Sequence, residues 1–158
     1  MAEISSVRGE AVLQLDAEER GLLHQLLSEM KTLLEAELPP TDEVTRRLFP
    51  DAYDDDREAQ QFRALTGDEL RSDKLAAVAE VEDQIANDGR VELAPERGVV
   101  KSLLTVLTDL RLAIGTRLGV TEETMGAQLD PSDPETPALS VLHWLGWIQE
   151  LVLSAINP

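Results

Sequence analysis

Apolar positions in this chain fall mostly at helical spacing, and the longest such run is Val99 to Leu118, VVKSLLTVLTDLRLAIGTRL. At about 100° per residue, Val99, Val100, Leu103, Leu104, Val106, Leu107, Leu110, Ile114 and Leu118 share one broad face, with Lys101, Thr105, Thr108, Asp109 and Thr116 opposite. Arg111 breaks this pattern by falling among Val100, Leu104, Leu107 and Leu118. An unpaired guanidinium is costly to bury. Burial of this face therefore requires a carboxylate or a set of carbonyls against Arg111, or a stem that reaches back to water.

The other elements read outward from this helix, on which every other helix can pack. Residues 1–9 read as a loose tail, and Ala11 to Leu15 alternate as a short strand. Asp16 is placed to cap a helix that presents Leu22, Leu23, Leu26, Leu27, Met30, Leu33 and Leu34, and that Pro39 and Pro40 end. Thr41 starts a short helix that stops before Pro50. Ala59, Phe62 and Leu65 give a narrow stripe, and Thr66 with Glu69 matches a capping box, predicting a break and a restart. The restarted helix carries Leu70, Leu75, Val78, Val81 and Ile85 and ends near Asn87-Asp88-Gly89.

Val91 to Leu93 then reads as a second strand, with Pro95 at the first position of the central helix. Glu19-Arg20-Gly21 and Glu96-Arg97-Gly98 each follow a strand and precede a leucine-rich run, an internal echo that predicts pairing of Val12–Leu15 with Val91–Leu93. Gly119 stops the central helix, a short helix begins at Thr121, and QLDPSDPETP forms an exposed connector. The final helix is apolar around most of its circumference, with Val141, Trp144, Leu145, Trp147, Ile148, Leu151, Val152 and Ala155, so it requires cover on more than one side. The fold class is mainly α: a helical bundle of about five to six helices with a small two-stranded β ribbon, residues 1–158 forming one domain.

Composition adds limits. The chain has 31 acidic and 14 basic residues and a formal net charge of −17, which opposes direct contact with nucleic-acid backbones or anionic lipid. Arg46, Arg47, Arg57, Arg63, Arg71 and Lys74 are interleaved with acids and form no basic stripe. The absence of cysteine excludes disulfides and thiolate metal sites and suits a reducing cytoplasm. The first residues lack the features of a secretory signal. The apolar runs are broken by charged or polar residues, Lys101, Asp109 and Arg111 in one and His143, Gln149 and Glu150 in the other, before they reach membrane-spanning length. The expectation is a soluble, cytoplasmic protein.

Candidate chemistry is sparse. His24 and His143 are remote in sequence and form no ligand set, and Asp54-Asp55-Asp56 lacks the alternating oxygens, turn glycine and distal glutamate of a calcium loop. That acidic run fits a helix N-terminus instead. No nucleophile and base pair, phosphate loop, zinc-helix signature or nucleotide fingerprint is present, so the chain reads as a non-enzyme, with no cofactor and no metal. The residues singled out as functional or buried charges are Arg111, Arg117 and Arg63. Trp144, Trp147 and Leu151 on the last helix are the expected anchors of a homodimer interface.

Three stretches, Leu48-Phe49-Pro50-Asp51-Ala52-Tyr53 with Phe62-Arg63 behind it, Leu110 to Leu118, and Trp144-Leu145-Gly146-Trp147-Ile148-Gln149-Glu150, resemble an actinobacterial family of short proteins carrying a domain of unknown function, which includes an oxidative-stress transcription regulator. The resemblance implies an all-helical, dimeric regulator that acts with transcription machinery rather than as an enzyme. That regulator senses oxidation through cysteine; this chain has none, so thiol sensing is not carried over. The expectation is a non-enzymatic regulatory or interaction protein working through a protein partner, such as a transcription factor or sigma factor. The alternative is a small-anion-binding helical domain centred on Arg111.

Overall fold

The computed structural model describes residues 1–36, 43–48, 57–94, 96–119, 132–134 and 136–157, without the side chains of 45, 46 and 57–68. In chain order the described elements are β1 (Glu3–Val7), β2 (Glu10–Gln14), α1 (Ala17–Glu35), α2 (Glu43–Leu48), α3 (Arg57–Ile85), β3 (Arg90–Glu92), α4 (Gly98–Leu118) and α5 (Thr136–Ile156). Four long helices carry the fold, with α2 a six-residue addition. The helix expected from Thr121, the acidic run Asp54-Asp55-Asp56, Pro95 and most of the connector before α5 lie outside the described residues.

The ribbon has three strands, in the order β1-β2-β3. The expected pairing is present: Val12 faces Glu92, Leu13 faces Val91 and Gln14 faces Arg90, antiparallel. The correction concerns residues 1–9, expected to be a loose tail: Glu3–Val7 forms β1 and pairs antiparallel with β2 from Glu3↔Gln14 to Val7↔Glu10. EISSV escapes detection because an edge strand open to solvent needs little hydrophobic alternation, and only Ile4 within β1 is partly shielded. Its connection to β2 is the two-residue turn Arg8-Gly9, with φ of 54° and 83°. Positive φ at both positions suits the twist of a tight hairpin. Val12 and Leu13 point to opposite faces and are both buried, so β2 is covered on both sides.

Asp16 caps α1 as expected, accepting from Glu19 N at 2.8 Å while the Glu19 carboxylate accepts from Asp16 N at 3.2 Å. Asp16→Ala is expected to cost about 1 kcal/mol, visible as a lower urea midpoint at unchanged slope; an unchanged midpoint would show that the cap is not contributing. Leu23, Leu26, Leu27, Met30 and Leu34 form the buried stripe. α1 packs against α3, and α2, α3 and α5 pack on α4.

Three expectations for the helices are revised. α3 runs unbroken through Thr66 and Gly67. Each costs about 1 kcal/mol or less in a helix interior, too little to interrupt a helix that packs on both α1 and α4. α4 begins at Gly98, with Arg97 as its N-cap and no side-chain cap bond, and ends at Gly119 in the left-handed region as expected. α5 is long and apolar enough, by length and composition, to cross a membrane, contrary to the expectation that no run reaches that length. In this fold it packs on α4 and the sheet through Leu139, Leu142, Leu145, Ile148 and Val152. Val141, Trp144, Trp147, Leu151 and Ala155 flank that stripe half-buried against the core.

A cleft at Arg111 between three helices

The central position of α4 changes which of its charges is buried. Asp109, placed by helical spacing on the polar side, is the buried acidic residue, 7 % exposed, among the described residues. Its two carboxylate oxygens both accept from Lys74 Nζ at 2.8 Å, joining α3 to α4. Both side chains are about nine-tenths shielded, at 11 % and 10 % exposure. Burial pushes the Asp109 carboxyl above its ordinary value, and the Lys74 ammonium only partly pulls it back. Ser102 Oγ donates to Glu80 Oε2 at 2.5 Å across the same pair of helices.

Arg111 is half-buried and, among the described residues, meets no carboxylate. Its Nη1 donates to Gln149 Oε1 at 2.7 Å, and Gln149 Nε2 donates to Thr108 Oγ1 at 2.9 Å. The chain Arg111, Gln149, Thr108 therefore ties α4 to α5 through a neutral amide whose orientation both neighbours specify. The guanidinium lies over Gly146: a Cβ there would stand 3.5–3.6 Å from its Nη2, Cζ and Nε. A methyl group would just touch it, and a longer side chain would take its place. Arg111 Nε is shielded and has no hydrogen-bond partner.

Beside this group α2, α4 and α5 border an open cleft of about 490 Å³. Among the described residues its walls are Glu43 and Arg47 from α2, Thr108, Arg111, Leu112, Gly115, Thr116 and Gly119 from α4 and its end, and Leu142 and Gln149 from α5. Arg47 and Glu43 face one another at 3.7 Å on the exposed side. Thr116 Oγ1, like Arg111 Nε, is buried without a partner. A cleft of this size has the volume of a small-molecule site, with walls that are about half polar.

The sequence-predicted residues separate in space. Arg111 is in the cleft, Arg117 is exposed in the last turn of α4 and does not line it, and the side chain of Arg63 lies outside the described residues. Trp144 is half-buried, and its Nε1 donates to Glu19 Oε2 at 2.8 Å, so the indole N–H is engaged within the chain, on the residue that closes the α1 capping box. Trp147 and Leu151 pack half-buried against the core. Sequence reasoning missed Gln149, Thr108, Gly115 and Arg47 as cleft residues and Lys74–Asp109 as a pair. Gln149 carried one signal, a polar residue in a nearly all-apolar helix.

His24 lines a separate cleft of about 520 Å³ between α1 and α3, together with Arg20, Glu82 and Asp83. No group of three or more metal-ligating side chains occurs among the described residues. Two of the stretches that carry the resemblance meet at Arg111: Leu110 to Leu118 contributes Arg111, Leu112, Gly115 and Thr116, and Trp144 to Glu150 contributes Gly146 and Gln149. Comparison with curated proteins and with solved structures gives no match. The sequence profile of one family, described as a domain of unknown function (DUF2017), matches residues 1–156, and the chain belongs to that family.

Proposed function

We propose that this protein is a non-enzymatic binding protein that holds a small anion in the Arg111 cleft. One observation carries the reading: a half-buried guanidinium borders a cleft and, among the described residues, has a neutral amide rather than a carboxylate as its partner. A structural arginine at such a position is ordinarily matched by an acid. Here the matching negative charge is left for a ligand to supply, with Thr108 and Gln149 beside it to orient the ligand.

In a thermal-shift series against acetate, phosphate and sulfate, at least one anion is expected to stabilise the protein, by about 2.7 kcal/mol at a hundred times its dissociation constant. Arg111→Met should remove that stabilisation while leaving a cooperative transition. Equal stabilisation of the variant would place the anion elsewhere and end the proposal.

A second reading is supported by the net charge of −17 and by the resemblance to an oxidative-stress transcription regulator. It makes the protein a cytoplasmic regulator that binds a basic segment of a transcription factor or sigma factor. Such binding should weaken steeply as salt rises. Affinity unchanged between low and high salt would count against it. A homodimer through Trp147 and Leu151 belongs to the same reading, and light scattering showing a monomer at about 50 μM, a concentration above a moderate-affinity dissociation constant, would remove it.

A further inference from the structure

We propose that the ligand of the Arg111 cleft is a monoanionic carboxylate carrying a short apolar body. This rests on the anion-binding reading above and adds the chemical class. Charge gives the first argument. Among the described residues the walls hold two guanidinium groups, Arg47 and Arg111, and one carboxylate, Glu43, a balance of about one unmatched positive charge. A dianion such as phosphate would leave one negative charge facing Glu43, in a chain already at −17.

Shape gives the second argument. A volume of about 490 Å³ is several times what a bare inorganic ion fills, and its walls include the side chains of Leu112 and Leu142. Gly115 leaves the floor open there: a Cβ on it would come no nearer than 4.0 Å to the nearest atom, Leu142 Cδ2. Hydrocarbon placed against these residues leaves water at a gain that grows with each methylene. A short-chain carboxylic acid would meet both kinds of wall, its head at Arg111 and its body against Leu112 and Leu142. Arginine suits the head because its planar fork matches a carboxylate.

The test is a calorimetric titration of the full chain with acetate, butyrate, hexanoate and inorganic phosphate. Affinity is expected to rise about two- to fourfold per added methylene, with hexanoate tightest and phosphate no tighter than acetate. Arg111→Met should abolish binding of all four. Gly115→Leu, which fills space beside Leu142, should weaken hexanoate at least tenfold. Circular dichroism of both variants establishes that they are folded. Phosphate binding tighter than hexanoate, or affinity independent of chain length while Arg111→Met still abolishes it, overturns the carboxylate class and leaves the anion reading standing. Failure of all four ligands to bind overturns both.

Discussion

Asp109→Ala is expected to lower the unfolding free energy by about 3–5 kcal/mol, because it strands the Lys74 ammonium in a site that is nearly closed to water. For a domain of this size that corresponds to a fall of roughly 6–20 °C in Tm. Removing both charges should behave differently. The double variant Lys74→Met with Asp109→Leu keeps side-chain volume at the α3–α4 contact and removes the desolvation cost, so its stability should lie within about 1 kcal/mol of wild type or above it. A double variant as unstable as Asp109→Ala alone would show that the pair, not the stranded charge, carries the energy.

The same carboxylate makes a pH-dependent contribution whose sign is set by its upward shift. Because burial holds Asp109 above the ordinary value of 3.8, the unfolded chain gives up this proton first as pH rises. Asp109's contribution to stability is therefore greatest below pH 3.8 and declines through the interval between that value and its folded value, then stays level. The difference in unfolding free energy between wild type and Asp109→Asn should fall across that interval. A difference that rises there would mean that Lys74 outweighs burial.

Gly89→Ala is the second large effect, expected to cost about 2–4 kcal/mol in urea unfolding. Gly89 has φ of +69°, and a Cβ on it would stand 2.9 Å from Leu15 O and 3.3 Å from Leu15 Cβ. The left-handed conformation alone costs an alanine about 1–2 kcal/mol. The remainder comes from pushing apart the backbone of β2 and the turn after α3, which are joined by the Leu15 N–Gly89 O hydrogen bond of 2.9 Å and by Arg20 Nη1 donating to Asn87 O. Gly9→Ala is the matched control: φ is +83°, but nothing lies within 4 Å of the added atom, so it pays only the conformational cost. Equal losses at the two positions would show that close approach at Leu15 is not limiting.

Much of the fold is legible along the chain because its signals are local. The capping box of Asp16 and Glu19, the buried stripe from Leu23 to Leu34, the Gly119 stop and the β2–β3 pairing all follow from spacing and from residue types whose conformational preferences act over a few positions. The candidate site was legible in one residue. Arg111 stands out because a guanidinium on an apolar face requires a carboxylate, a set of carbonyls or a route to water, and the side-chain carbonyl of Gln149 meets it.

What the sequence determined by itself is the set of elements, their faces and the presence of an arginine that the apolar pattern does not accommodate. What only the tertiary structure decided is which charge the core encloses. A helical wheel sorts side chains by direction on one helix, and direction equals burial only where one side of that helix is covered. α4 is covered by α2, α3 and α5 at once. Asp109, on the nominally polar side, is therefore enclosed with Lys74, while Arg111, on the apolar side, borders the cleft that these helices leave between them.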